Sequence, residues 1–246
     1  MLLTLRYGWR YEGTEVWKAV EKAGLTRKVL EYRALEQSGP LRQVHLAARA
    51  MFLAKQIVFY DETHCKPNDL RRKYSYGFRG LPAFMYVAQN LHGTGTGCSG
   101  CAAMSLRGMI AVTVTDRIID GPEFLRILEF EILPFMRPYP QPESVLVLDS
   151  APTHSHLAVI LLCQRFGVVC LFLSPYSYDF SAIEPSFHQA KAYCRSTYGL
   201  RDGITSEKLR EGLASITPLN AVRYFRHVGI TITRDDSNFA GVVHES

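Results

Sequence analysis

Three short apolar runs constrain this chain most: Ile57-Val58-Phe59-Tyr60, Val145-Leu146-Val147-Leu148 and Val168-Val169-Cys170-Leu171-Phe172-Leu173. Runs of this length, rich in β-branched and aromatic residues, read as strands buried on both faces. Residues 101–106 and 109–115, joined at Arg107-Gly108, read as a strand pair. A helix is expected over 121–133, opened by Asp120 and Glu123 and ended by Pro134, with Phe124, Ile127, Leu128 and Ile132 on one face. Further helices are expected over 154–166, stopped by Gly167, and over 185–197. Strands and helices in this order predict an α/β fold: a mixed sheet with helices on both faces.

The flanks read as helical. Val16, Trp17, Val20 and Ala23 share a face that Gly24 stops. A second helical stretch from Thr26 is broken at Ser38-Gly39-Pro40 and resumes through Val44, Ala47, Ala48 and Met51. With Lys18, Lys22, Arg27 and Lys28 nearby, this region resembles half of a helix-turn-helix. The expected organisation is a partial helix-turn-helix over 1–54, an α/β domain over 55–200 and a helical tail over 201–246.

Charge is distributed unevenly. The net +5 divides into +7 over residues 1–80 and −2 over the remainder, so the basic excess lies where a polyanion would be met. Six cysteines, most inside apolar runs, predict free thiols in a reducing interior rather than a disulfide framework. The longest uncharged stretch, 80–106, carries five glycines and a proline and predicts no membrane span.

Asp61 and Asp149 each directly follow an apolar run, and Glu184 follows the third after a turn. Ligands of open α/β sheets bind outside the carboxyl ends of strands, so the three acids are expected at one rim. Converging carboxylates repel unless a cation lies between them, and hard divalent ions take oxygen ligands. A lone strand-end Asp can also simply close a turn, and Ser181 to Glu184 fits a capping box. With Pro185 as the first helical residue, Glu184 is expected at the cap. Arg71, Arg72, Lys73 and Arg79 are candidate phosphate contacts, and Arg27 and Lys28 candidate DNA contacts. His154 and His156 are expected to support the acids. Gly95 to Gly100 satisfies GxGxxG without a following helix, Cys98 and Cys101 make a lone CxxC, and Ser150 with His154 lacks GxSxG, so none of these is read as a site.

IVFYDETH, VLVLDSAPTHSH and LFLSPYSYDFSAIEPSFHQAKAYCR resemble the three blocks of the DDE transposase domain of the mariner/pogo-like superfamily, with 34 residues between Asp149 and Glu184. LRRKYSYGFRG and ITPLNAVRYFRHVGI also look like that family, in a form typical of fungal copies. The resemblance implies a ribonuclease-H-like fold and a nuclear enzyme that cuts and joins double-stranded DNA. It also implies two Mg²⁺ or Mn²⁺ ions held by Asp61, Asp149 and Glu184, and a homodimer on DNA. It implies two helix-turn-helix units ahead of the catalytic domain, and the chain is expected to begin inside the second. Ser150 stands where the family has Asn. Tyr178-Asp179-Phe180-Ser181-Ala182 replaces a segment with two prolines, which predicts a looser loop before Glu184. Two alternatives stay open: a non-catalytic or host-adopted DNA-binding protein, and a hydrolase of small phosphate esters.

Overall fold

A computed structural model describes residues 13–26, 37–66, 69, 79, 97–150, 156–198 and 205–242. The chain divides into two compact units, Met1–Leu35 and Glu36–Ser246. In the first, helix α1 spans Gly13–Lys22, and Gly24, at φ +70°, ends it as expected. The remaining elements belong to the second unit.

Helix α2, Gly39–Arg49, starts where the sequence reading placed a break. Ser38 caps it by accepting from Leu41 N, and Pro40 fits the first turn, where its missing N–H has no intrahelical partner to lose. The boundary between units falls before α2, not at residue 54, because α2 bonds to elements of the sheet domain. Arg49 Nη2 donates to Val228 O (2.9 Å), and His45 Nδ1 lies 3.0 Å from Phe172 O, a carbonyl that can only accept.

The sheet has five strands in the order β3-β2-β1-β4-β5: β1 Ile57–Cys65, β2 Cys98–Ser105, β3 Gly108–Thr115, β4 Val145–Leu148 and β5 Val169–Phe172. Strand β1 pairs antiparallel with β2 and parallel with β4, and β4 pairs parallel with β5. The expected hairpin at Arg107-Gly108 forms, with Gly108 at φ +96°.

Side chains alternate across the sheet and build two cores. Ile57, Phe59 and Val147 belong to one, under helices α5 (Ile183–Tyr198), α6 (Ser206–Ala214) and α7 (Pro218–His227). Val58, Tyr60, Leu146 and Leu148 belong to the other, under α3 (Gly121–Ile127) and α4 (His156–Arg165). The C-terminal segment closes with α8, Arg234–Ala240, whose Asp236 accepts from Lys55 N. The tail helices α6, α7 and α8 therefore fold into the same unit as the sheet.

The helix expected over 121–133 is α-helical only to Ile127, then widens to a π-turn over 128–132 and tightens to a 3₁₀ turn over 133–135. Pro134 cannot donate to the carbonyl of Phe130, and the five-residue step lets Ile127, Leu128, Ile132 and Leu133 all reach the core, each fully buried.

All six cysteines are free thiols. Cys98 and Cys101 fall in opposite cores, so the CxxC pair cannot share an ion. None of the described helices is long and apolar enough to cross a membrane.

Gly212 sets the spacing of α6 against α5: a Cβ there would stand 2.8 Å from both Ala190 O and Cys194 Sγ. Gly212→Ala is expected to destabilise the fold by about 1–3 kcal/mol, measured by urea denaturation.

Candidate active site

The parallel pairing of β1 with β4 brings two acids level. Ile57 pairs with Val145, Val58 with Leu146 and Phe59 with Val147. Asp61 and Asp149 each lie two residues beyond the last of these pairs, Asp149 just past the end of β4. Alternation puts both on the face of Phe59 and Val147, the face that α5 covers. Asp61 is not at a strand end, as the apolar run suggested. Pairing with β2 from Phe59 to Cys65 carries β1 four residues further, so Asp61 sits mid-strand, beside the point where β4 stops.

Glu184 comes from α5. Ile183, Phe187, Ala190 and Cys194 form the buried stripe of that helix, and Glu184 stands one position round from it in the first turn. The helix starts at Ile183, so Glu184 is its second residue and Pro185 its third, rather than cap and first. Pro185 still costs no backbone bond, since the first N–H groups of a helix have no intrahelical acceptor.

Asp61, Asp149 and Glu184 line one cavity of about 470 Å³ with Ser150, Leu173, Ser174, Pro175, Tyr176, Ser177, Tyr178 and Ser181. Burial first, then the charges of Glu184 and Asp149, push the Asp61 carboxyl up to about 8, against a backbone hydrogen bond from Glu62 N (2.7 Å). Burial also raises Glu184, while His188 and Lys191, one and two turns along α5, pull it back. These two basic side chains were missed in the sequence, although their spacing from Glu184 marks one helix face.

The donors are of the right kind for hard divalent ions: three oxygen acids that resist being charged together. Their spacing is open. Among the described residues no three His, Cys, Asp or Glu side chains are close enough to enclose one ion.

Ser150, in place of the family's Asn, donates its hydroxyl proton to Leu173 O, tying the end of β4 to the end of β5. This bond engages the hydroxyl in joining the two strands. His156 is exposed and stacks on Phe172, ring centroids 4.3 Å apart, and is not among the described residues lining the cavity. Arg79 is exposed. His154, Arg71, Arg72, Lys73, Arg27 and Lys28 lie outside the described residues.

The loop before Glu184, expected to be loose, is cross-linked. Arg42 of α2 donates to Asp179 Oδ1 (2.8 Å) and Oδ2 (2.6 Å) and to Ser177 Oγ (3.0 Å). With Asp179 about half exposed, the ion pair adds on the order of 0.5–1 kcal/mol. Its fork fixes direction more than it adds stability.

A model described as "DDE superfamily endonuclease" matches residues 56–204. No curated protein matches significantly by sequence. Among solved structures, a pre-cleavage Mos1 transpososome superposes with a TM-score of 0.61 at 16% identity, over 87% of this chain and 66% of that one. A Mos1 mariner paired end complex with Mn gives 0.60 at 17% identity, over 87% and 66%. The Mos1 strand transfer complex gives 0.59 at 18%, over 87% and 65%. This chain thus spans 65–66% of those three Mos1 chains. At such identity the likeness establishes the ribonuclease-H-like fold.

Asp61 titrates near 8 when folded and near 4 when unfolded, so the folded state holds the extra proton between these values. Stability without divalent ions should therefore fall as pH rises from 4 to 8, by up to about 1.4 kcal/mol per pH unit. Asp61→Asn should flatten that slope and melt above the wild type at pH 8, as calorimetric melting would record.

Proposed function

The chain belongs to the DDE superfamily endonucleases, and we propose that its acid cavity cuts and joins double-stranded DNA by phosphoryl transfer, as a transposase does. The observation that carries this reading is the meeting of Asp61, Asp149 and Glu184 on one cavity at the rim of a ribonuclease-H-like sheet. In this reading Asp61, Asp149 and Glu184 hold two Mg²⁺ or Mn²⁺ ions, which would activate the attacking oxygen and stabilise the leaving one.

The chain's own residues do the rest. The Asp61 carboxyl, raised by burial and by two neighbouring carboxylates, would have to give up its proton for a cation to bind there, so loading of the site would be coupled to proton release. His188 and Lys191 lower the cost of charging Glu184 and would be further phosphate contacts. Arg79 and the basic run Arg71-Arg72-Lys73 add phosphate contacts, with Arg27 and Lys28 ahead of them. His154 and His156, five and seven residues after Asp149 in the sequence, are proposed as supporting groups, His156 from outside the cavity lining. Work on chromosomal DNA places the protein in the nucleus, as a homodimer bridging two DNA ends. The organisation proposed with it keeps a partial helix-turn-helix region ahead of the catalytic domain.

The open spacing of the acids favours a second reading, a DNA-binding protein that keeps the fold without cutting. A calorimetric Mn²⁺ titration separates the two. Catalysis predicts saturable binding that Asp149→Asn weakens at least tenfold, about 1.4 kcal/mol, with Mn²⁺-dependent nicking of supercoiled plasmid that the substitution abolishes. Equal or absent Mn²⁺ binding in both proteins, together with salt-sensitive DNA binding and no nicking, supports the second.

A further inference from the structure

We infer that Arg42, Asp179 and Phe180 form a clamp through which helix α2 positions Glu184. The inference rests on the reading of Glu184 as a metal ligand.

The segment between β5 and α5 has one job in that reading: to deliver Glu184 to a point set by Asp61 and Asp149 on other elements. Its first end is fixed by the sheet. Leu173 N donates to Leu148 O (2.8 Å), and Leu173 O accepts from Ser150. Those bonds hold residue 173, but the chain then runs through a turn in which Tyr176 adopts φ +56°, a conformation costly for a bulky residue. A turn of that kind needs outside support to persist.

Helix α2 supplies it at successive points. Gln37, just ahead of the helix, donates Nε2 to Tyr176 O (2.9 Å). Arg42 takes Ser177 and both oxygens of Asp179. Its guanidinium carbon also lies 3.9 Å from the centre of the Phe180 ring, and His45 stacks on the same ring at 5.9 Å with planes 11° apart. His45 is tied in turn to Phe172 O of β5. One arginine thus grips two consecutive residues by different interactions, with the planar fork setting direction and the ring setting distance.

Asp179 and Phe180 belong to a 3₁₀ turn, Tyr178–Phe180, closed by Phe180 N to Ser177 O (3.0 Å) and Ser181 N to Tyr178 O (2.9 Å). Only Ser181, Ala182 and Ile183 separate Phe180 from Glu184, and Ala182 and Ile183 are fully buried. Motion at the clamp therefore passes to Glu184 through a short buried segment with no slack. The clamp does by tertiary contact what local proline stiffness does in the family pattern, where Tyr178 and Ala182 are prolines. Releasing it moves Glu184 relative to Asp61 and Asp149 and weakens ion binding with little loss of stability.

The test is a calorimetric Mn²⁺ titration of the full chain, with thermal melting of each variant alongside. Glu184→Gln is the reference, and Arg42→Ala, Asp179→Asn and their combination probe the clamp. Arg107→Ala is the control: its guanidinium binds Glu143 at the opposite end of the sheet, through Nε at 2.8 Å and Nη2 at 2.5 Å. The expected result is that Arg42→Ala and Asp179→Asn each lower Mn²⁺ affinity at least tenfold. The double variant should be no weaker than the worse single one, and Arg107→Ala should bind as the wild type does despite a lower melting temperature. Asp179→Asn, with its half-exposed side chain, carries the test alone if Arg42→Ala does not fold. If Glu184→Gln weakens Mn²⁺ while the clamp variants bind normally, the clamp is wrong and the metal reading stands. If Glu184→Gln has no effect, the metal reading of Glu184 falls and the clamp with it.

Discussion

The pairing of β1 with β4 is the constraint on which the site depends. Both strands are buried on both faces, so neither can shift by one residue without turning an acid into the opposite core. That fixed register makes Asp61 and Asp149 neighbours although 87 residues lie between them in the chain. Everything else at the cavity is arranged around this pair: α5 lies over their face, Ser150 ties β4 to β5, and the following loop returns across the rim.

Three carboxylates meeting in a partly buried cavity work against folding. The price appears at Asp61, which holds its proton to about pH 8. The surrounding fold is built to bear such a cost. Ile183, Phe187, Ala190 and Cys194 anchor α5 by apolar burial, independent of the acid it carries, and Gly212 lets α6 close over its back. His188 and Lys191 ease the charge on Glu184, against its burial and the charge of Asp149. A site that is electrostatically uneasy when empty has more to gain from a bound cation than one already neutralised by arginines.

The departures from the family pattern have physical replacements. Where an Asn would follow the second acid, the hydroxyl of Ser150 is spent on a strand-to-strand bond. Where prolines would stiffen the approach to the third acid, α2 provides an arginine fork and an aromatic stack. Helix α2 is thus a structural part of the sheet domain, with Arg49 bonded to Val228 O and His45 to Phe172 O. Read only from its sequence, it belonged to a region resembling half of a helix-turn-helix.

The strands were readable because complete burial demands unbroken apolar runs, and such runs occur wherever the sheet is covered on both faces. The same signal pointed to Asp61 and Asp149, since a charge right after such a run must lie near a rim. It misplaced Asp61 as a strand end, because the partner that extends β1 lies more than thirty residues downstream in β2. Periodicity found the helix over 121–133 but not its π-turn, which answers to Pro134 and to four side chains sharing one core. The meaning of Ser38-Gly39-Pro40 reversed, from a break to a helix start, once the capping bond to Leu41 N was in view. From the order of its elements the sequence alone determined the mixed α/β class, and from their places after apolar runs it marked three acids that share one cavity. Only the tertiary structure decided their common face and level, the basic side chains beside Glu184 and the grip of α2 on the approaching loop, because those depend on register and on contacts between residues far apart in the chain.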